Sequence, residues 1–182
     1  PAVAEARVMD TILNDFLRVQ ETEALELAAE SDLVDVIPVG PEPHQRFLVR
    51  YSCTGLVRTR DGVAEARRWE LGVYMPNDYL RRVNPGEVLT WLGPPNSFHP
   101  QILFPYVCAG RVRPGTNLVE LIHQCFEIVT YQKVTMREDD AMNRDACVWS
   151  RNNLARLPID DRSIVRRSAE HRIRVSTRTE GE

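Results

Sequence analysis

Apolar residues recur at three- and four-residue steps over the first thirty positions, which is the spacing of one face of an α-helix. Asp32 and Pro38 close this region. The pattern predicts an N-terminal helix. Its expected apolar side consists of Val8, Ile12, Phe16, Val19, Leu25, Leu27 and Ala28.

The pattern then changes to the two-residue period of β-strands. Strands are predicted at 34–38, 47–53, 69–75 and 88–92, with a hairpin turn at residues 60–62. Short connections between successive strands favour an antiparallel meander. Its buried face is expected to carry Phe47, Val49, Tyr51, Cys53, Trp69, Leu71, Val73 and Met75.

After residue 95 the strand pattern stops, and a long apolar stretch without clear periodicity follows. A loop of this length inside a domain is usually functional or disordered, and its apolar character argues against disorder. Helical spacing resumes at Asn117, with Thr116 or Asn117 as the cap. The expected buried stripe of this helix is Leu118, Leu121, Ile122, Cys125, Phe126 and Val129, and a last helix is expected to contain Met142, Ala146, Trp149 and Leu154.

Composition narrows the class of protein. The chain has 182 residues, 43% of them hydrophobic, so one domain is the default. No run of 18 apolar residues is present, and residues 1–7 lack the layout of a signal peptide, so we expect a cytoplasmic protein without a membrane partner. A net charge of -3 offers no electrostatic basis for binding nucleic acid.

The four cysteines are far apart and never form a Cys-x-x-Cys pair, so no metal site is predicted. Cys53 falls on a strand, and Cys125 and Cys147 fall on helices, where buried structural thiols are expected. Cys108 alone lies in a loop, where functional residues are common. It is the candidate nucleophile.

Only one of the 23 lysine and arginine residues is a lysine, namely Lys133. A GC-rich genome favours arginine codons and explains this bias without function. An enzyme that hands acyl groups to lysine amines would also modify itself less if it had few lysines. Composition leaves both explanations open.

Short motifs stand in a fixed order around Cys108. They are Trp69-Glu70-Leu71-Gly72-Val73-Tyr74-Met75-Pro76-Asn77-Asp78-Tyr79, Asn84-Pro85, His99-Pro100-Gln101-Ile102, Val107-Cys108-Ala109-Gly110, Pro114 and Met142-Asn143-Arg144-Asp145-Ala146. In this order and at these separations the chain resembles the ubiquitin-conjugating enzyme (UBC-fold) family over about residues 15–155. Its Val-Cys-Ala-Gly and Pro-Gly-Thr motifs look like the bacterial branch of ubiquitin-like systems.

The resemblance implies an α+β fold with an N-terminal helix, a four-stranded antiparallel meander, an active-site loop and two C-terminal helices. A UBC-like conjugating domain would cover residues 1–159. An Arg-rich extension would cover residues 160–182, with a possible strand at 173–175, and it is expected to be loosely held or bound to a partner.

The resemblance also implies a reaction. Cys108 would accept a ubiquitin-like protein as a thioester from an activating enzyme, which docks on the first helix, and an amine or hydroxyl would then attack. No cofactor is expected in this chain, because ATP is used by the activating enzyme. Other products of the same operon are possible partners, and the extension would anchor one of them.

Further site residues follow from the resemblance. Gln101 stands where the family has an asparagine that steadies the loop and the oxyanion, and glutamine offers the same groups on a longer stem. His99 would hold the loop through backbone bonds. Asp139 and Asp140 lie near the family's acidic residue that orients the acceptor, although both also suit a helix N-terminus, and Asn143 could pack or bond locally.

Two other functions stay open at this point. The first is a catalytically silent UBC-fold variant that binds a ubiquitin-like protein or scaffolds its conjugation complex, for which Gln101 is the support. The second is a Cys/His peptidase with His99 as the base, although no orienting asparagine or nucleophile-bearing helix is apparent. The modifier, its acceptor and the oligomeric state are not readable from the sequence.

Overall fold

A four-stranded antiparallel sheet with helices packed on one face forms the centre of this α+β protein. The computed structural model describes residues 2–165, with side chains from residue 11 onward. The elements are α1 (Ala2–Ala29), β1 (Val34–Val39), β2 (Arg46–Tyr51), β3 (Gly55–Thr59), β4 (Gly62–Ala66), β5 (Trp69–Tyr74), α2 (Pro85–Val88), β6 (Leu89–Gly93), β7 (Ile102–Leu103), β8 (Tyr106–Val107), α3 (Leu118–Val129), α4 (Arg144–Asn152) and a 3-10 turn (Leu154–Arg156).

The sheet has the strand order β1-β2-β5-β6, so the predicted four-stranded meander is confirmed. Val36 pairs with Val49, Val49 with Leu71, and Leu71 with Trp91, which makes one apolar row across all four strands. All four side chains are buried. Because side chains alternate along a strand, this row commits every second residue of each strand to the core.

The N-terminal helix is confirmed, and its predicted apolar side is confirmed in part. Leu27 is buried, and Phe16 and Ala28 pack partly buried against the core, but the other three described residues of that side do not. Ile12 and Val19 are 50% and 51% exposed, and Leu25 is exposed too. The residues of α1 that enter the core are Leu13, Leu17, Ala24 and Leu27, whereas the side chain of Val8 lies outside the described residues. Apolar residues occupy two sides of this helix, and only one side meets β1 and α3, so helical spacing alone could not select the face.

Three details of the connections differ from the sequence prediction. The hairpin turn predicted at 60–62 is confirmed, but it joins two strands that were not predicted, β3 and β4, which pair with each other and not with the main sheet. Val88 ends the short helix α2, so the last strand of the sheet starts one residue later. The stretch predicted to lack strands contains β7 and β8, whose two residues each are too short to show a period.

The two C-terminal helices are confirmed, and the whole predicted stripe of α3 is buried. Asn117 caps α3 by accepting a hydrogen bond from the Glu120 N–H at 2.7 Å. Met142 and Leu154 lie outside α4 and are exposed, because the helix begins at Arg144 and ends at Asn152.

The residues just beyond α4 return to the body of the protein. The Asp160 N–H donates to Thr130 O at 3.2 Å, and Ile164 is buried in the main core. The strand predicted at 173–175 lies outside the described residues. Between residues 2 and 165, no helix combines the length and apolar character that a membrane crossing requires.

Candidate active site at Cys108

Cys108 is the exposed cysteine, and the other three described thiols are buried. It follows β8 directly, between the buried side chains of Val107 and Ala109, so strand alternation turns its sulfur outward. Burial raises the pKa of Cys53 and of Cys125 to about 12, and burial also raises the pKa of Cys147. These three groups are therefore protonated thiols at neutral pH, as expected for structural cysteines.

Gln101 contacts the backbone of Cys108 directly. The Cys108 N–H donates to Gln101 O at 2.8 Å, and Gln101 Nε2 donates to Cys108 O at 3.0 Å. Gln101 is buried, and its Oε1 has no hydrogen-bond partner among the described residues. One residue therefore binds both backbone polar groups of Cys108, and one amide N–H of its side chain is already engaged.

His99 is a buried, neutral residue of the same loop. Its Nδ1 accepts the Gln101 N–H at 3.1 Å, which places the ring proton on Nε2. The residue is 2% exposed, and burial lowers the pKa of His99 to about 3. A ring that is neutral and already engaged through its acceptor nitrogen is a poor general base for Cys108 at neutral pH.

Asp139 and Asp140 are exposed and contact Arg137. Arg137 Nη2 lies 2.6 Å from Asp139 Oδ2, and Arg137 Nε lies 3.3 Å from Asp140 Oδ2. The hydrogen bond from Arg137 lowers the pKa of Asp139 below its usual value. Within residues 11–165, no hydrogen bond or ion pair joins either carboxylate to the loop of Cys108.

Asn143 links that region to the Cys108 loop instead. Its N–H donates to Pro100 O at 3.0 Å, and its side chain accepts from the Ala146 N–H at 3.1 Å to cap α4. The cap on α4 is local bonding of the kind the sequence suggested for Asn143, whereas the hydrogen bond to Pro100 O is long-range. The start of α4 is thereby attached to the residue that precedes Gln101.

Two residues that the sequence did not single out as site residues also hold the loop. The Tyr131 hydroxyl donates to Phe98 O, and its ring lies edge-on to His99 with ring centroids 4.4 Å apart. Lys133 Nζ donates to Ala109 O at 3.2 Å. Tyr131 carries no local signal, whereas Lys133 stands out as the lone lysine of the chain.

The hairpin of β7 and β8, which ends directly before Cys108, exposes three large apolar side chains. Leu103, Phe104 and Tyr106 are all about half exposed, at 49%, 47% and 54%. Tyr106 and Cys108 point to the same side, because they are two residues apart at the end of one strand. Three large apolar side chains are thus exposed on the hairpin that immediately precedes Cys108.

Comparison of the chain with protein-family models, with curated proteins and with solved structures found no match. The resemblance to ubiquitin-conjugating enzymes stays a prediction that rests on the motifs of the sequence.

Proposed function

We propose that this chain is an acyl carrier of the ubiquitin-conjugating type, which accepts a ubiquitin-like protein as a thioester on Cys108. The observation that carries the proposal is the contrast between Cys108 and the other thiols. Its sulfur is exposed while its backbone N–H and C=O are both bound by Gln101. Cys53, Cys125 and Cys147 are buried.

The reaction has two balanced steps. In the first, the Cys108 thiolate attacks the thioester carbonyl of a modifier held by an activating enzyme, a new carbon–sulfur bond forms, and the thiolate of that enzyme leaves. In the second, an amine or a hydroxyl attacks the carbonyl, loses its proton and displaces Cys108 as thiolate. Sulfur suits both steps because a thiolate is a good nucleophile and a good leaving group. ATP is consumed by the activating enzyme alone.

The surroundings of Cys108 support a transfer reaction better than a hydrolysis. The side chain of Gln101 has a second N–H, which can donate to the oxyanion that forms when the carbonyl is attacked. His99 is neutral with a pKa of about 3, which argues against the Cys/His peptidase. The element order of helix, meander, cysteine-bearing hairpin and two helices is compatible with a UBC-like fold.

A silent UBC-fold variant is the second candidate, and two observations favour it. One N–H of Gln101 is engaged by Cys108 O in the resting protein, and Asp139 and Asp140 contact Arg137. Such a protein would still bind a ubiquitin-like protein but would not carry it. In the leading proposal, the two aspartates remain candidates for orienting the acceptor.

A chemical thioester tests the first step even while the natural modifier is unidentified. We would mix the folded chain with a short peptide that ends in glycine and whose C-terminus is a thioester with mercaptoethanesulfonate. The mass of the intact protein is then measured by mass spectrometry. The expected product is one acyl group on Cys108, removed by dithiothreitol. Reconstitution with an activating enzyme, ATP and a ubiquitin-like protein should then give the same thiol-sensitive bond.

Two variants provide the controls. Cys108→Ala should take no acyl group, and Cys147→Ala should load as the wild-type chain does, because Cys147 is buried in α4. An adduct that persists in Cys108→Ala contradicts the proposal. Cleavage of an ordinary peptide without ATP would favour the peptidase, and binding of a ubiquitin-like protein without any thioester would favour the silent variant.

A further inference from the structure

The backbone on the C-terminal side of Cys108 has its own side-chain donor. Lys133 Nζ donates to Ala109 O at 3.2 Å, while Gln101 Nε2 donates to Cys108 O at 3.0 Å. The backbone carbonyls of Cys108 and Ala109, which are successive, are therefore each bound by a side chain. One donor is Gln101, seven residues before Cys108, and the other is Lys133, which follows α3. A charged donor generally makes the stronger hydrogen bond.

The position of Lys133 is fixed by the turn that follows α3. The Lys133 N–H donates to Glu127 O at 2.9 Å, and Tyr131, two residues earlier, is buried with a φ of 58°. The side chain of Lys133 is half-buried. Its ammonium is therefore presented from an anchored backbone and not from a free surface loop.

Gly110 lets the backbone pass close to this ammonium. Its φ is +93°, a region that favours glycine, and a Cβ added there would lie 3.5 Å from Lys133 Nζ. The ammonium thus lies against the backbone of residues 109 and 110, immediately after the nucleophile.

We propose that Lys133 is a positioning residue for Cys108. The inference rests on the proposed acyl-carrier function and deepens it. By binding Ala109 O, the ammonium restricts the segment that carries the sulfur, so that the thiolate meets the incoming carbonyl in one geometry.

The test compares three variants of the full chain. Lys133→Met removes the donor and keeps a side chain of similar length, Lys133→Arg keeps a charged donor, and Arg111→Met removes a charge near Cys108. Arg111 is a matched control, because no hydrogen bond or ion pair joins its exposed side chain to another described residue. The probe is the glycine-ending peptide thioester, and the readouts are its loading rate and amide hydrogen exchange.

We expect Lys133→Met to load about tenfold more slowly, because misplacement of a nucleophile lowers its rate. The Cys108 N–H, bound to Gln101 O, should exchange about fivefold to tenfold faster, since one restraint on the loop is lost. The Trp91 N–H, bound to Pro105 O in the same hairpin, should be unchanged and shows that the fold is intact. Lys133→Arg should recover at least half of the loading rate, and Arg111→Met should match the wild-type chain.

Three results would overturn this role. The first is a loading rate and an amide exchange rate in Lys133→Met that equal those of the wild-type chain. The second is a loading rate in Arg111→Met that is lowered as much as in Lys133→Met. The third is a thiol-resistant acyl group on Lys133 that disappears in Lys133→Arg. If the wild-type chain takes no acyl group, the acyl-carrier function fails. Alkylation of Cys108 by iodoacetamide, together with amide exchange, then decides the role of Lys133 separately, since the other described thiols are buried.

Discussion

The main sheet and the loop of Cys108 are held together by different kinds of contact. In the sheet, the row of Val36, Val49, Leu71 and Trp91 is completely apolar and crosses all four strands. The Cys108 loop, residues 97–110, also buries apolar side chains such as Ile102 and Val107, but in addition Tyr131, Lys133 and Asn143 bind its backbone carbonyls, and its hairpin tip is exposed. The sheet therefore supplies stability, and the loop supplies a nucleophile that is accessible and still restrained.

A leucine pair on neighbouring strands gives the largest expected effect. Leu71→Ala removes a side chain from the middle of the buried row and should lower the free energy of unfolding by about 2–5 kcal/mol. Leu92→Ala is the matched control, because Leu92 lies on β6 but is 46% exposed, and it should change stability by less than about 0.5 kcal/mol. Urea unfolding measures both. Similar losses in the two variants would mean that the apolar row is not the main support of the sheet.

Gln101→Ala changes the Cys108 loop and should mainly lower the rates of acyl transfer. Loss of an oxyanion donor typically lowers a rate about a hundredfold, so discharge of a preloaded acyl group to free lysine should slow by about that factor. Loading should slow less, because the incoming thioester is already reactive. Single-turnover measurements of the two steps separate them.

Gln132→Ala is the matched control for this loss of an amide. Gln132 Nε2 donates to Asp160 O, so the variant also removes one side-chain hydrogen bond to a backbone carbonyl, but away from Cys108. It should leave both steps unchanged. If Gln101→Ala slows loading and discharge equally, Gln101 is not an oxyanion donor, and its role is limited to steadying the loop.

The two regions also differ in how far the sequence could predict them. The sheet follows from alternation, because each strand buries every second residue and the register is set by that face. The core residues predicted within 47–53 and 69–75 are therefore confirmed. The predicted face of α1 is confirmed only in part. Ile12 and Val19 are exposed, although they fit helical spacing as well as the buried Leu13 and Leu17 do.

The sequence indicates where the Cys108 loop lies along the chain, but it does not indicate which residues contact that loop. Its irregular apolar stretch and its cysteine are visible in the sequence, and the family resemblance singles out Gln101. The contacts from Tyr131, Lys133 and Asn143 come from residues more than twenty positions away from their partners. No periodic pattern encodes such polar contacts, because each depends on where two separate turns meet in the fold.

The smallest expected effect concerns the protonation of His99. Its pKa is lowered from 6.5 to about 3 by burial, so below pH 6.5 the unfolded chain binds one more proton than the folded protein at this site. Stability from this group is therefore complete above pH 6.5 and falls as the pH decreases toward 3, by about 1.4 kcal/mol per pH unit.

His99→Asn isolates this contribution, because asparagine retains an acceptor where Nδ1 binds the Gln101 N–H and does not titrate in this range. Urea unfolding at pH 7.0 and at pH 5.5 should show a larger loss of stability in the wild-type protein than in His99→Asn, by about 1 kcal/mol. His123→Asn is the control for replacing a histidine elsewhere in the fold, since His123 is only half-buried; burial lowers its pKa, and Glu127 opposes that shift. Equal pH dependence in the wild-type protein and His99→Asn would mean that the ring of His99 accepts a proton in the folded state. The Cys108 loop would then contain a titrating base, and the contrast between a purely structural histidine and an exposed nucleophile would fail.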